Sequence, residues 1–294
     1  MPAARRAATP RGALLAGDCL EVLPNLAREK ARFDLVYVDP PFNAGGERKA
    51  RTGTGERARG TAAYVDAWGG IEAFLAMLEP RLAAMREVMS TVGSLWLHLD
   101  HRAVHDAKVV CDKLFGRGAY QGEIIWIPGN GARRRGGPSV THQTILVYSR
   151  GREMIWNGED EILRESYADT SLSMHFTLVD AEGRRYRERR VNGKAYRYYA
   201  DRGRRIGSVW SDCPAMQANT PLRRETTGYP TQKPERLLER IVRAASVPES
   251  RVLDPMCGSG TTLAVAERLG RTWVGVDRSP VALGVARKRL GLGS

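Results

Sequence analysis

Asp39-Pro40-Pro41-Phe42 stands directly after the apolar run Phe33-Asp34-Leu35-Val36-Tyr37-Val38. A strand built from that run carries Asp39 to its carboxyl end, where ligands bind in open α/β sheets. Pro40 and Pro41 stiffen the backbone that follows and remove two N–H donors. The Asp39 carboxylate and the Pro40 carbonyl are then two acceptors side by side, and an aromatic exocyclic NH₂ offers two donors. Hydrogen bonds to both acceptors favour a pyramidal nitrogen and localise its lone pair, which turns a poor nucleophile into a better one. Phe42 offers a ring against which an unstacked heterocycle can lie. The bland alternative is a strand-ending Asp-Pro turn. The full tetrapeptide after an apolar strand favours chemistry.

More than 200 residues later comes Asp254-Pro255-Met256-Cys257-Gly258-Ser259-Gly260-Thr261. Gly258 and Gly260 lie between a strand (251–253) and a helix starting near Thr261, so the backbone can approach a ligand and the helix start supplies free N–H groups. Asp277 closes the next strand, seventeen residues after Gly260. A carboxylate there can accept both ribose hydroxyls of a nucleoside. A phosphate-binding P-loop needs Lys after its glycines, and Thr261-Thr262 stand there instead. A dinucleotide fingerprint needs a third glycine or alanine where this chain has Leu263, which makes it the runner-up. S-adenosylmethionine has no phosphate and needs neither pattern.

Seven apolar runs read as strands: 12–17, 33–38, 94–99, 123–127, 144–148, 251–253 and 272–276. Most are apolar throughout, as in parallel sheets covered by helices on both faces. Between them lie helical stripes: Leu78, Leu82, Met85 and Met89; Leu237, Leu238, Ile241, Val242 and Ala245 after Pro234; and Val281, Val285, Ala286 and Leu290 with Arg287, Lys288 and Arg289 near the end. This alternation argues for a Rossmann-like, doubly wound, mostly parallel α/β sheet. Two regions interrupt it. Residues 43–61 are rich in Gly and Arg and read as a mobile loop. Residues 151 to about 225 are polar and read as an insert beside a catalytic domain formed by 1–150 and 226–294. From Arg184 to Arg205 the insert holds ten Arg and Lys against Glu188 and Asp201.

The chain has 294 residues, with 46 Lys and Arg against 33 Asp and Glu, a formal net charge of +13. A polyanion is the natural partner of such a surface. The clusters Lys49, Arg51, Arg57 and Arg59, then Arg133, Arg134 and Arg135, then Arg184 to Arg205, suit phosphates and so affinity rather than base reading. Cys19, Cys111, Cys213 and Cys257 show no CxxC and no zinc spacing, and read as free thiols in a reducing compartment, with no metal site. No secretory signal and no apolar stretch near the ~20 residues of a membrane span stands out. A cytoplasmic protein, associated with the nucleoid, is expected. His98 and His101 border a strand end and read as polar packing; Trp96 and Trp126 read as core.

Together these motifs resemble the amino-group DNA methyltransferases, in their β-class circular permutation with the base pocket first and the cofactor loop last. The resemblance covers nearly the whole chain. Residues 15–23 (LAGDCLEVL) resemble the family's N-terminal segment, which implies that Asp18 reaches the cofactor adenine and that Cys19 beside it belongs to the cofactor site. Asp39 to Phe42 match the catalytic motif, and Ser94 to Asp100 the GSLWLHLD strand. Tyr229 to Pro234 match HPTQKP, with Tyr229 replacing His, which implies that Lys233 lies near the methionine end of the cofactor. Asp254 to Thr262 match DPFxGSGTT, with Met256 replacing Phe, so that Asp254, Pro255, Cys257, Gly258, Ser259, Gly260 and Thr261 form the cofactor loop. Asp277 takes the place of the commoner Glu. Val209-Trp210-Ser211-Asp212 resembles VWTDI, near the end of the family's target-recognition segment.

The resemblance implies methyl transfer from S-adenosylmethionine to the exocyclic N6 amine of a flipped adenine in double-stranded DNA, within restriction-modification chemistry. Cytosine-N4 methylation is the alternative, since the pocket argument accepts either amine; the Asp-Pro-Pro form resembles adenine enzymes. A non-catalytic DNA-binding homologue is the third reading. Members of the family often pair, so a homodimer is expected by analogy, and a cognate endonuclease stays open.

Overall fold

The computed structural model describes residues 11–42, 46–52, 59–65, 68–129, 134–216 and 225–293. The chain divides into two compact units, one formed by 1–156 with 209–294 and the other by 157–208.

In the first unit the strands are β1 (Gly12–Ala16), β2 (Phe33–Val38), β3 (Glu47–Thr52), β4 (Arg59–Val65), β5 (Met89–Leu99), β6 (Tyr120–Trp126) and β7 (Gln143–Ser149), with helices α1 (Cys19–Arg28), α2 (Ile71–Val88) and α3 (Val104–Phe115) between them. The second unit holds β8 (Arg164–Glu165), α4 (Asp169–His175), β9 (Leu178–Val179), β10 (Arg185–Val191), β11 (Lys194–Tyr199) and β12 (Arg204–Arg205). The first unit resumes with β13 (Val209–Trp210), α5 (Glu235–Ala245), β14 (Arg251–Asp254), α6 (Thr261–Arg268), β15 (Thr272–Asp277) and α7 (Pro280–Leu290).

Among the described residues, eight strands of the first unit form one sheet in the order β1-β15-β14-β2-β5-β7-β6-β13. The five from β1 to β5 are parallel, β7 is antiparallel to β5 and β6, and β13 is parallel to β6. This is the Rossmann-like, mostly parallel sheet expected, with the two-residue β13 added at one edge. β2 is buried at every position but Asp34, which explains its unbroken apolar reading. The decisive pairing is β14 with β2, where Val252 faces Leu35 and Leu253 faces Val36. Chain segments more than 200 residues apart thus become nearest neighbours.

The helices follow their capping chemistry. Ser279 caps α7 by accepting from the Ala282 N–H, Pro280 occupies the first turn, and Gly291 ends the helix in the left-handed region. Met89, fourth in the expected α2 stripe, opens β5 instead, and α2 buries Phe74, Met77, Leu78, Leu82, Met85 and Val88.

Of the segment expected to be a mobile loop, residues 47–52 and 59–61 belong to an antiparallel ribbon formed by β3 and β4. Ala50 and Ala63 are buried there, so small side chains suffice where backbone pairing supplies the order. Residues 43–45 and 53–58 lie outside the described residues, as does Arg133. The compact unit 157–208 is narrower than the expected insert. Its flanks join the first unit because they carry aromatic rings: Trp156 stacks on buried Trp96 at 6.5 Å, and Trp210 packs on Trp96 from β13.

The second unit has a small core. Leu163 and Phe176 are buried, and Tyr167 packs on Phe176 at 4.4 Å. Arg185 donates to the Leu172 and Phe176 carbonyls at the end of α4, where the Leu172 carbonyl also accepts from the Phe176 N–H.

Candidate active site

Five parallel neighbours of the sheet each deliver an aspartate at or just past the carboxyl end. Across the sheet these are Asp18 after β1, Asp277 on β15, Asp254 on β14, Asp39 after β2 and Asp100 after β5. A row of like charges at a sheet edge is unfavourable unless each member is held by donors or a cation.

Asp18 caps α1 by accepting from the Leu20 N–H at 2.9 Å, and Arg81 of α2 pairs with its other oxygen at 2.5 Å. Burial pushes its pKa up, but the Leu20 hydrogen bond and the Arg81 guanidinium outweigh it, so Asp18 lies below the ordinary carboxylate value. Asp277 accepts from the N–H groups of Gly258 and Ser279, each at 2.8 Å. It therefore holds the Gly258 turn against β15, though burial leaves its pKa raised. Asp254 is fully buried and pushed up to about 7, chiefly by burial and further by Asp39 and Asp277, against hydrogen bonds from Thr262 and the Met256 N–H. Asp100 accepts from the backbone N–H and side chain of Arg102.

Asp39 pairs with the Lys233 ammonium, which arrives on the loop before α5 and is 7% exposed. That ammonium also stands 4.9 Å from the centre of the Phe42 ring. The loop bearing Lys233 is clasped by Gln232, whose carbonyl accepts from the Thr227 N–H and hydroxyl and whose amide donates to the Glu225 carbonyl. Beneath Phe42 lies His98, fully buried, with ring centroids 6.0 Å apart. Its Nδ1 is 2.8 Å from the Tyr37 hydroxyl. Burial, then the Lys233 charge, hold the imidazole well below its ordinary pKa, and burial holds Tyr37 well above its own. The phenol and a neutral imidazole thus share one buried hydrogen bond.

These groups open on one cavity of about 1000 Å³. That is the upper end of the roughly 300–1,000 Å³ of ligand sites. Asp18, Cys19, Asp39, Pro40, Pro41, Phe42 and Lys233 line it, as do Asp254, Pro255, Cys257, Gly258, Ser259, Thr261 and Asp277. Gly260 is the exception. It caps α6 with φ 71°, and a Cβ there would meet Ala286 of α7 at 3.0 Å, so it faces the helix packing and not the cavity. Gly258, at φ 49°, leaves a cradle that a Cβ would fill against the Tyr229 ring at 3.2 Å. The 254–261 loop carries no Lys or Arg, and Asp18, Asp254 and Asp277 surround it on the cavity wall. Those carboxylates are acceptors that suit a cationic, ribose-bearing group.

Sequence reading did not single out Arg81, Arg102, Gln143 or Trp126 as parts of this wall. Their signal was weak: Arg81 is one of five charged residues along α2, and Trp126 is also buried core.

Comparison with known proteins places these features in a wider set. The family model described as DNA methylase (N6_N4_Mtase) matches residues 33–288. The type II methyltransferase M.EcaI of Enterobacter cloacae is 27% identical over 92% of this chain and 67% of its own length. The DNA adenine methyltransferase YhdJ of Escherichia coli K12 is 27% identical over 96% of this chain and 83% of its own. Among solved structures, the PvuII DNA methyltransferase, cytosine-N4-specific, shares the fold with a TM-score of 0.60 at 15% identity, over 95% of this chain and 88% of that one.

Proposed function

The chain belongs to the DNA methylase family of adenine-N6 and cytosine-N4 amino-methyltransferases, and on that premise we propose that it methylates the N6 amine of adenine flipped from duplex DNA. The observation that carries this reading is the parallel pairing of β14 with β2, which sets the Asp39 and Gly258 segments on one cavity. S-adenosylmethionine, the methyl donor, supplies an activated sulfonium methyl when bound. Gly258 and Ser259 give it close backbone approach, Asp277 and Asp18 offer acceptors to its nucleoside, and Asp254, raised to about 7, answers its cationic centre once it gives up its proton. Cys19, Pro255, Cys257 and Thr261 shape the wall around it. Asp39 and the Pro40 carbonyl accept from the target NH₂, Pro41 fixes that turn, and Phe42 stacks on the base. Holding acceptor and donor in line is worth several kcal/mol in such displacements, about 7 or more in well-oriented cases.

Adenine is supported by the Asp-Pro-Pro form of the motif and by the similarity to an adenine enzyme. Duplex DNA is the partner, the 157–208 unit takes target recognition, and a DNA substrate puts the work at the nucleoid, in the cytoplasm. Homodimerisation follows by family analogy. The test is incubation with methyl-labelled S-adenosylmethionine and mixed duplex DNA, followed by digestion to nucleosides. Label in N6-methyldeoxyadenosine is expected. Label in N4-methyldeoxycytidine would move the target to cytosine, and no label in any DNA would return the chain to a binding role.

A further inference from the structure

Strands β10 and β11 form a hairpin with two unlike faces. Directly opposed residues of an antiparallel pair share a face. One face holds Tyr186, Glu188 and Arg190 opposite Tyr199, Arg197 and Ala195. Its cations are answered locally: Glu188 lies 3.8 Å from Arg197 and 4.0 Å from Arg190, and Arg197 stands 4.9 Å over the Tyr186 ring. The other face holds Arg187, Arg189 and Val191 opposite Tyr198, Tyr196 and Lys194, with no carboxylate. There Arg187 is packed between the rings of Phe176 and Tyr198, at 5.3 and 5.2 Å, which stiffens the base of the hairpin. Towards the tip, Arg189 is exposed, Tyr196 and Tyr198 are 42% and 37% exposed, and Lys194 lies 5.6 Å from the Tyr196 ring. The tip itself, Asn192-Gly193, has φ of 50° and 76°, the type I′ turn that keeps a two-residue hairpin narrow and twisted.

We propose that this carboxylate-free face is the surface the protein lays into the major groove of duplex DNA, led by Arg189 and Lys194, with the Glu188 face turned away. The inference rests on the DNA-methylation reading. The major groove, about 12 Å wide, admits a two-stranded ribbon. Cations with no carboxylate partner among the described residues, beside tyrosines whose rings are apolar and whose hydroxyls are polar, match phosphates and base edges together, whereas on the opposite face Glu188 already answers the charge.

The test compares two double variants of the full chain that remove the same charge. Arg189→Ala/Lys194→Ala strips the proposed face and Arg190→Ala/Arg197→Ala the other; Gln replacements at the same positions serve as a second set, and circular dichroism checks folding. Binding to a mixed duplex is measured across a salt series. The first pair is expected to weaken binding at least tenfold and to lower the salt slope by up to about two units, and the second to change affinity less than threefold. Equal losses, or a larger loss from the Glu188 face, would overturn the assignment. Failure of the unaltered chain to bind duplex DNA would instead overturn the DNA reading beneath it.

Discussion

Removing the Asp39 carboxylate leaves the Lys233 ammonium buried beside the Phe42 ring with its counter-ion gone. Stranding one partner of a buried pair costs roughly 3–5 kcal/mol. Asp39→Ala is therefore expected to lose stability as well as methyl transfer. Adding Lys233→Met should recover most of the stability and none of the transfer. Denaturant midpoints of Asp39→Ala, Lys233→Met and the double variant, each set against the unaltered chain, give the coupling, and a coupling near zero would mean that Lys233 answers some other group. The cysteines carry a second residue-scale expectation. All four are free and buried. Burial pushes Cys19 and Cys111 up to about 12 and Cys213 up to about 11, and holds Cys257 well above its ordinary value. Since the thiolate is the reactive form, mass spectrometry after alkylation at pH 8 should find the native chain unlabelled and the unfolded chain labelled at every cysteine. The Asp-Pro-Pro-Phe motif is legible because its chemistry is local in sequence. Its counter-ion is not, since Lys233 lies 194 positions away, and family resemblance implies only a place for it at the methionine end of the cofactor. His98 reads as ordinary polar packing, and only the fold sets it on Tyr37 beneath Phe42.

The same contrast holds at the level of elements. The parallel strands can be read because both their faces are buried, so nearly every position has to be apolar. The β3–β4 ribbon cannot, because its order comes from backbone pairing with alanines inside, and composition sees only Gly and Arg. The early start of β5 is hidden in the helical stripe that Met89 continues. Gly260 shows how an element junction can pass for a ligand contact: Gly-x-Gly suits either, and the φ of 71° with Ala286 close behind assigns this glycine to the seam between α6 and α7. Gly260→Ala must adopt a left-handed backbone and push α7 away, at roughly 1–3 kcal/mol. Gly284, inside α7 and exposed, has open space where an alanine methyl would stand, with no neighbour within 4 Å. Gly284→Ala should stabilise by about 0.5–1 kcal/mol through helix propensity. Thermal unfolding of the two variants should shift in opposite directions, and shifts of the same sign would refute the division of roles.

For the whole molecule, carboxylates held away from their ordinary pKa shape the pH dependence of folding. Two opposed groups bound it. Asp212 is held down to about 2, first by its hydrogen bond from Arg240, and so adds stability that is present above the ordinary Asp value of 3.8 and lost as pH falls towards 2. Asp254 works the other way. Its folded pKa, raised from 3.8 to about 7, means that the native state binds a proton the unfolded chain has already released. Stability therefore declines as pH rises through that window, by an amount on the order of a few kcal/mol. The formal charge of +13 at pH 7 grows on acidification and adds self-repulsion of the opposite sense, so the trend of the unaltered chain alone cannot isolate Asp254. Asp254→Asn can, because Asn still accepts from the Met256 N–H but has no proton to lose. Urea midpoints measured at pH 5 and pH 8 should fall more for the unaltered chain than for Asp254→Asn, which is expected to be the more stable of the two at pH 8. Parallel changes in both proteins would show that Asp254 stays ionised across the range, and that the sheet edge carries its charges without strain.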